Sequence, residues 1–135
     1  MTILLAIETS TEMASVAILG KNGLIWRELS GVQTHSQGIL PAIQELLSEA
    51  GLSLGQCDAI AFGCGPGAVT GVRTACGIVQ GLAFGADLPI LPVISLLAMA
   101  EAARQDGVEA PAEARPVADF VCILDARMSE VYWAH

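Results

Sequence analysis

Histidine and positive charge are both scarce in this sequence. Its 135 residues include two histidines, His35 and His135, so H-x-x-x-H and H-E-x-x-H do not occur and a histidine-bound zinc or iron site lacks its ligands. Six lysines and arginines are outnumbered by 14 aspartates and glutamates, which gives a net charge of −8. Because proteins that grip nucleic acid by its phosphates usually carry a basic face, we expect no tight, direct binding to RNA or DNA.

Paired cysteines and membrane-length apolar runs are missing as well. The four cysteines are Cys57, Cys64, Cys76 and Cys122. No C-x-x-C occurs among them, which predicts reduced, mostly buried thiols. The first apolar run has no preceding lysine or arginine and ends at Glu8, so it does not read as a signal peptide. The longest apolar region, residues 78–100, is interrupted by two charged or polar residues and two prolines, so we expect a soluble, cytoplasmic protein without a membrane span.

What the sequence does contain is apolar patterning typical of an α/β fold. Strands are predicted at residues 3–7, 14–19 and 24–29, joined by short turns that include Asn22-Gly23, which makes the first thirty residues an antiparallel meander. The first of these strands is apolar without interruption. It is therefore expected to be a central strand buried on both faces.

Beyond the meander, the apolar period changes to three and four residues. An amphipathic helix is predicted to end before Gly51 and, because of Pro41, to begin near Gly38. The patterns further along predict a strand at 58–62, a helix at 70–85, a strand at 88–94 and a helix from Ser95 to Arg104. Ser95 is expected to cap the last helix, and two prolines place the 88–94 strand toward an edge of the sheet.

The end of the sequence repeats the pattern of its start. Each contains a buried strand that ends in a carboxylate, a short turn and a second strand. This repeat predicts a duplicated lobe of which only the beginning of the second copy is included. We therefore expect a first lobe over residues 1–104, a connection over 105–118 that is rich in Glu, Ala and Pro, and the first strands of a truncated second lobe over 119–135.

A glycine-rich loop, G-C-G-P-G at residues 63–67, lies between a predicted strand and a predicted helix. Such a loop can present backbone N–H groups to an anion, and the candidate residues are Gly65, Gly67 and Thr70. The loop has no lysine for a Walker A motif and does not match G-x-G-x-x-G. The alternative is structural: the glycines allow positive φ and close packing, and Arg73 pairs with a carboxylate such as Glu8 or Asp125.

The helix after this loop carries Gly77, Gly81 and Gly85 on one face. Each glycine costs about 1 kcal/mol relative to alanine in a helix, and a stripe without side chains allows a close neighbour, either the sheet or another helix. The rest of the helix is apolar on more than one face. We therefore expect it to be covered on more than one side, by its own fold or by a partner.

Glu8 and Asp125 end the two equivalent strands, where they could orient a metal-bound water or a phosphate-bound magnesium ion. The alternative is that they cap turns or pair with Arg73 and Arg127. The serines lie outside any nucleophile-elbow motif and have no histidine placed to activate them. The residues themselves therefore predict no Ser-His catalytic device and no histidine-bound metal site, and both interpretations of Glu8 and Asp125 stay open; the site prediction accordingly names no catalytic residue and no metal ligand.

Four separated segments resemble, in order, those of the bacterial TsaB (YeaZ) family. They are L-L-A-I-E-T-S-T at 4–11, T-H-S-Q-G-I-L-P at 34–41, G-C-G-P-G-A-V-T-G-V-R-T at 63–74 and I-L-D-A-R-M-S-E-V-Y-W-A at 123–134. The resemblance implies the actin-like, sugar-kinase and heat-shock ATPase fold, which is ribonuclease H-like. In this chain it implies a mixed sheet of about five strands with three helices, followed by the first hairpin of a second similar lobe.

The resemblance also implies a role in forming N6-threonylcarbamoyladenosine beside the anticodon of tRNAs that read codons beginning with A. The chain would be a non-catalytic scaffold or activator subunit that pairs with a TsaD-like paralogue, or with itself, and is joined by a TsaE-like ATPase. ATP and magnesium are expected on those partners, and tRNA is expected to be held only through the complex. The alternative is a nucleotide-dependent phosphotransferase or a peptidase-like enzyme of the same fold.

In this family the pairing surface is formed by the first two helices. The resemblance carries that role to seven positions: Leu40, Ile43, Leu47, Val72, Ala75, Ile78 and Val79. The sequence departs from many relatives at Ala68-Val69, where they have serine and phenylalanine after G-P-G. That departure removes a hydroxyl group from the loop and weakens its interpretation as an anion site.

Overall fold

The computed structural model describes residues 1–30, 34–106 and 120–135. The strands are β1 (Leu4–Glu8), β2 (Met13–Gly20), β3 (Gly23–Ser30), β4 (Ala59–Gly63), β5 (Ile90–Val93), β6 (Cys122–Arg127) and β7 (Glu130–Ala134). The helices are α1 (Thr34–Ala50), α2 (Val69–Ala86) and α3 (Ser95–Gln105), with a short 3-10 turn at Leu54–Gln56. Most of the predicted 105–118 connection lies outside the described residues.

Five of the strands form one mixed sheet in the order β3-β2-β1-β4-β5. The predicted meander is confirmed, since β1, β2 and β3 pair antiparallel, with Gly23 at φ +96 in the tight turn. β4 and β5 extend the sheet in parallel from β1. β5 lies at the edge as predicted, and it is shorter than predicted because proline cannot donate to a ladder.

The core lies between one face of this sheet and the helices α1 and α2. Its buried side chains come from both layers: Leu5, Ile7, Ala14, Val16, Ile18, Ile39, Ala42, Ile43, Leu46, Cys57, Ile60, Ala75, Val79 and Ala83. The prediction that β1 is buried on both faces is wrong. Its burial alternates, with Leu5 and Ile7 in the core and Leu4, Ala6 and Glu8 only partly buried on the opposite face, because both long helices cover the same side.

Helix α1 begins earlier than predicted, at Thr34, and contains Pro41. Proline removes one backbone N–H, which leaves the carbonyl of Gln37 without its helical donor. Both Pro41 and Gln37 are exposed, so water can satisfy that carbonyl and the helix continues through this point. At the other end α1 stops as predicted, since Gly51 takes a positive φ of +67.

The prediction that Ser95 caps α3 is also wrong. Ile94 is the N-cap residue, and Ser95 is the first residue of the helix. The Ser95 backbone N–H donates to the carbonyl oxygen of Gly65 at 2.9 Å, while its buried hydroxyl has no partner among the described residues. Helix α3 is therefore anchored to the glycine loop through its backbone.

The hairpin β6–β7 forms a separate two-stranded sheet that lies against α3. Its strands expose several large apolar side chains, including Ile123, Val131 and Trp133. A two-stranded hairpin whose outer strand edges are unpaired is marginal in water without further strands or a covering layer. None of the helices in the described ranges combines the length and hydropathy that a membrane crossing requires.

The burial of Cys57 leads to a prediction about thiol reactivity. Burial raises the pKa of the Cys57 thiol, and the neighbouring Asp58 carboxylate raises it further. Because the thiolate is the reactive form, the raised pKa leaves less of it at pH 8. We expect iodoacetamide to alkylate Cys57 more slowly than the partly exposed Cys64 and Cys76 in the native protein, as measured by peptide mass spectrometry over time.

Denatured protein is the control for that experiment, since unfolding should bring the three cysteines to similar rates. Alkylation of Cys57 in the native protein at the rate of Cys64 would contradict its placement in the core.

Candidate functional site

The glycine loop meets the β1–β2 turn at very close range. The carbonyl oxygen of Ser10 accepts a hydrogen bond from the Ala68 N–H at 2.8 Å, and a Cβ added at Gly67 would lie 2.6 Å from the Ser10 Cβ. A Cβ at Gly71 would collide with the carbonyl oxygen of Thr9. Gly67 and Gly71 are therefore glycines because backbone from the turn occupies the space of a side chain.

A buried hydrogen bond secures this crossing. The Thr9 hydroxyl donates to the Gly71 carbonyl oxygen at 2.5 Å, and Thr9 is fully buried. The bond ties the end of β1 to the first turn of α2, although the two segments are 62 residues apart in sequence. The start of α2 and the β1–β2 turn are therefore held in direct contact.

The three predicted anion-binding residues lie in different surroundings. Gly65 is buried, has a φ of +100 and accepts the Ser95 N–H through its carbonyl. Gly67 and Thr70 line an open cleft, and the Thr70 carbonyl accepts a hydrogen bond from the Thr74 hydroxyl at 2.8 Å. Both glycines thus have structural roles, and anion binding at this loop stays a prediction.

The cleft lies between the start of α2, the β1–β2 turn and the β6–β7 hairpin. Its volume of about 710 Å³ is in the range of small-molecule sites. Hydroxyl groups are the commonest polar side chains around it: Ser10, Thr11, Ser36, Thr70, Thr74 and Tyr132. Asp125 and Arg127 of the hairpin and Glu12 of the turn supply its charges. Sequence reasoning missed this cleft, because the position of the hairpin depends on how it packs on α3.

Glu8 and Asp125 do not meet in one site. Asp125 lines the cleft, whereas Glu8 lines a smaller apolar hollow on the side of the sheet away from α1 and α2. Each carboxylate caps its own turn: Glu8 Oε1 accepts the Ser10 N–H at 2.7 Å, and Asp125 Oδ1 accepts the Arg127 N–H at 2.8 Å. The interpretation that they cap turns is the one these bonds favour. Within the described ranges, no group of three His, Cys, Asp or Glu side chains is placed to hold a metal ion.

The suggested pairing of Arg73 with Glu8 or Asp125 is wrong. The ion pairs formed among described residues are Arg27–Glu49 and Arg104–Glu101. Arg73 is instead exposed on the outer side of α2. It lies on the surface that also carries the three spaced glycines.

This outer side of α2 has an unusual composition for a solvent-facing helix. Arg73 is the only charged residue among the 18 residues of α2. Gly77, Gly81 and Gly85 are exposed, and a Cβ added at any of them would meet nothing within 4 Å. Phe84 lies among them with 92% of its surface exposed. No described part of the chain fills the space above the glycines.

The seven predicted interface residues divide into two groups. Ile43, Ala75 and Val79 are buried in the core, so the prediction that they contact a partner is wrong. Their apolar period marks the inner faces of α1 and α2. Leu40 is 44% exposed, while Leu47, Val72 and Ile78 are partly buried, so these four border the exposed surface. We name the outer surface of α2 formed by Arg73, Gly77, Gly81, Phe84 and Gly85 the α2 outer face.

The fold and its relatives place the chain in a known class. A mixed five-stranded sheet with two helices on one face, followed by a hairpin that repeats its first strands, is the lobe of the actin-like, ribonuclease H-like fold. A family model described as "TsaD: tRNA N6-adenosine threonylcarbamoyltransferase" matches residues 25–135. The chain belongs to this family and, within it, to the TsaB (YeaZ) group.

Three relatives illustrate the similarity. The TsaB protein of Haemophilus influenzae is 48% identical over 131 residues, which are 97% of this chain and 52% of the relative. The TsaB protein of Escherichia coli is 42% identical over 97% of this chain and 53% of its own length. The solved structure of YeaZ from Pseudomonas aeruginosa has a TM-score of 0.84 and 44% identity, over 98% of this chain and 58% of that one. The chain therefore spans about half the length of the curated relatives it matches.

The close crossing at Gly71 predicts a sharp contrast between two glycines of the same helix. Gly71→Ala should lower the free energy of unfolding by roughly 3 kcal/mol, because its methyl group has to displace the Thr9 backbone. Gly77→Ala should raise it by about 1 kcal/mol, because the added methyl group meets open space and alanine favours the helix. Urea denaturation followed by circular dichroism measures both changes.

The two variants control for each other, since the chemical change and the helix are the same. Equal effects of the two substitutions would show that the β1–β2 turn does not press against α2 at Gly71.

Proposed function

We propose that this protein is a non-catalytic scaffold subunit in the formation of N6-threonylcarbamoyladenosine, beside the anticodon of tRNAs that read codons beginning with A. The proposal rests on membership in the TsaB group, whose members are named for tRNA threonylcarbamoyladenosine biosynthesis. The observation that carries the scaffold role is the α2 outer face. It supplies a docking surface for a partner subunit.

The composition of the α2 outer face favours protein contact over exposure to water. A helix that faces solvent normally carries charged and polar side chains on its outer side. Here Phe84 is almost fully exposed beside Gly81 and Gly85, and aromatic side chains are enriched where interfaces bury them. The glycines let a second helix approach the α2 backbone closely, with Phe84 as an apolar anchor at the edge of the contact.

Gly77, Gly81 and Gly85 also destabilise the isolated helix. Each one costs about 1 kcal/mol relative to alanine, and none is required by a contact within the described chain. Neither positive φ nor a close internal neighbour accounts for them. A partner that packs against the backbone at this point does account for them.

The sequence supports placing the chemistry on the partner subunits. Two histidines and six basic residues in 135 offer few imidazole ligands for zinc or iron and few phosphate contacts. We assign nucleotide, magnesium and tRNA binding to a TsaD-like paralogue and a TsaE-like ATPase, with all three proteins acting in the cytoplasm. The present chain then contributes a surface, and tRNA reaches it only through the complex.

A second structural proposal concerns the hairpin. We infer that residues 1–104 are a first lobe and that residues 119–135 begin a second lobe of the same kind. The same local bond recurs in both, from the residue two positions after the strand-ending carboxylate: Ser10 N–H to Glu8 and Arg127 N–H to Asp125. The exposed apolar residues of β6 and β7 fit strands that continue into a larger sheet.

Substitutions on the α2 outer face test the scaffold role. Phe84→Glu and Gly81→Leu should each weaken binding to the TsaD-like paralogue of the same organism by at least about tenfold, by removing the anchor or blocking the close approach. Isothermal titration calorimetry measures the affinity. Mass spectrometry of digested tRNA from cells that carry the variants should show less of the modified nucleoside.

The matched control is Leu97→Glu, which changes an apolar side chain that is 63% exposed on a different helix, α3. It should leave both affinity and modification unchanged. Unaltered affinity in the Phe84 and Gly81 variants would contradict the proposal. Loss of self-association with normal modification would assign the surface to a homodimer instead.

The cleft supports a second candidate function, a nucleotide-dependent phosphotransferase. Its volume, its hydroxyl groups and the Asp125 and Arg127 side chains suit a phosphorylated ligand with a polar ring or sugar. Calorimetric titration of the isolated protein with magnesium ATP separates the two functions. The scaffold proposal expects no saturable binding in the micromolar range, whereas micromolar binding that Asp125→Asn and Arg127→Ala abolish would favour the enzyme.

A further inference from the structure

Strand β3 forms an edge of the main sheet that is long and free of proline. It ends the order β3-β2-β1-β4-β5 and has eight residues. The strand at the other edge, β5, has four residues, one of which is Pro92. Short length and proline both protect a sheet edge against pairing with another chain, and β3 has neither protection. Among the residues that the structure describes, no strand pairs with the outer side of β3.

The register of the β2–β3 hairpin shows which backbone groups of β3 point away from the sheet. Gly20 and Gly23 face each other across a two-residue turn. In an antiparallel pair, residues that exchange hydrogen bonds alternate with residues that do not, and the pair that closes a two-residue turn is a bonded one. The N–H and C=O groups of Leu24, Trp26 and Glu28 therefore point outward, toward the open edge.

An arginine side chain lies against the middle of this edge. Arg27 Nη1 donates a hydrogen bond to the carbonyl oxygen of Trp26 at 3.0 Å, which is one of the outward-pointing acceptors. Arg27 Nη2 donates to the carboxylate of Glu49 on α1 and forms an ion pair with it. The two side chains are 42% and 48% exposed, and an ion pair this exposed adds little to stability. Its position at the edge of the sheet is therefore the feature that needs an explanation.

The outward-pointing groups of β3 are complementary to those of a second β3. In an antiparallel alignment centred on Trp26, this residue faces Trp26 of the second copy, and Leu24 faces Glu28. All three outward residues of each copy then exchange hydrogen bonds across the contact. The Trp26 side chain is 56% exposed, and an aromatic pair directly across two strands stabilises their pairing. A second copy of this chain therefore fits the edge along its length.

We propose that Arg27, held in place by Glu49, prevents β3 from pairing with the β3 of a second copy of this chain. In the alignment centred on Trp26, both Trp26 residues lie at the two-fold axis, so association brings the two guanidinium groups close together. Like charges destabilise a contact between strands, and each guanidinium already binds an acceptor that the incoming strand needs. The inference does not depend on the proposed function, because the α2 outer face belongs to a different element.

Self-association of Arg27 variants tests this role. The natural full-length protein carries Phe84→Glu in every sample, so that the α2 outer face does not contribute, and light scattering after gel filtration gives the mass over a range of concentrations. Arg27→Thr removes the guanidinium and keeps a residue that favours strands. It should lower the dissociation constant of the dimer by at least about tenfold. Glu49→Gln should lower it less, because Arg27 then loses its anchor but keeps its charge.

Arg104→Thr is the matched control, because Arg104 also forms an exposed ion pair, with Glu101 of the same helix, and it should leave the dissociation constant unchanged. Glu28→Pro shows where the copies meet. The N–H of Glu28 points outward and takes no part in the β2–β3 ladder, so proline removes a hydrogen bond only from the contact between copies. Added to Arg27→Thr, it should restore the monomer.

Three results would overturn the inference. The first is an Arg27→Thr protein that associates no more strongly than the Phe84→Glu parent. The second is an Arg27→Thr dimer that Glu28→Pro does not dissociate, since the copies would then meet elsewhere. The third is a parent protein that already forms a dimer and that Glu28→Pro makes monomeric, since the edge would then pair despite Arg27. If Arg27→Thr does not fold by circular dichroism, Glu49→Gln decides, and unchanged association of that variant contradicts the role of Arg27.

Discussion

The rest of the structure depends on the crossing of the β1–β2 turn over the first turn of α2. Thr9 and Ser10 pass so close to Gly67 and Gly71 that no side chain fits between them, and the Thr9 hydroxyl bonds across the contact. This one crossing fixes the direction of α2 over the sheet. It thereby decides which side of α2 joins the core and which side carries Gly77, Gly81 and Phe84 to the surface.

The glycines of this region show that one residue type serves three purposes. Gly67 and Gly71 provide room for another backbone, and Gly65 adopts a positive φ beside the α3 anchor. Gly77, Gly81 and Gly85 do neither, since their surroundings are open. The first two purposes are explained by contacts and backbone angles within the lobe itself. The third needs a neighbour, and this difference separates the structural glycines from those of the docking surface.

The sequence predicted the order and type of the elements well, because each had a local signal. Asn22-Gly23 located the first hairpin and Gly51 the end of α1. At Pro41 the local signal failed because the missing N–H is harmless on the exposed side of the helix. Ser95 looked like a cap, yet the neighbouring loop takes its backbone N–H and moves the cap to Ile94.

The candidate site was harder to predict for a related reason. A helical period shows which residues share a face, but α2 is apolar around most of its circumference, so the period could not say which face is inside. The resemblance assigned Ala75 and Val79 to the interface, and the period gave no reason to exclude them, although they fill the core. The cleft and the separation of Glu8 from Asp125 depend on how distant segments pack, and the sequence carried no signal for either beyond the repeat itself.

Taken together, the uncovered surfaces of this lobe account for its unusual composition. A chain that is 53% hydrophobic has more apolar surface than one core between a sheet and two helices can bury. The excess is collected on the α2 outer face, on the side of the sheet away from α1 and α2, and on the β6–β7 hairpin. Contiguous exposed apolar residues normally mark a contact, whereas scattered ones need no partner. This distribution therefore indicates three surfaces of the lobe that are suited to contact with other protein. In the proposed function, the α2 outer face is the side that a partner protein covers.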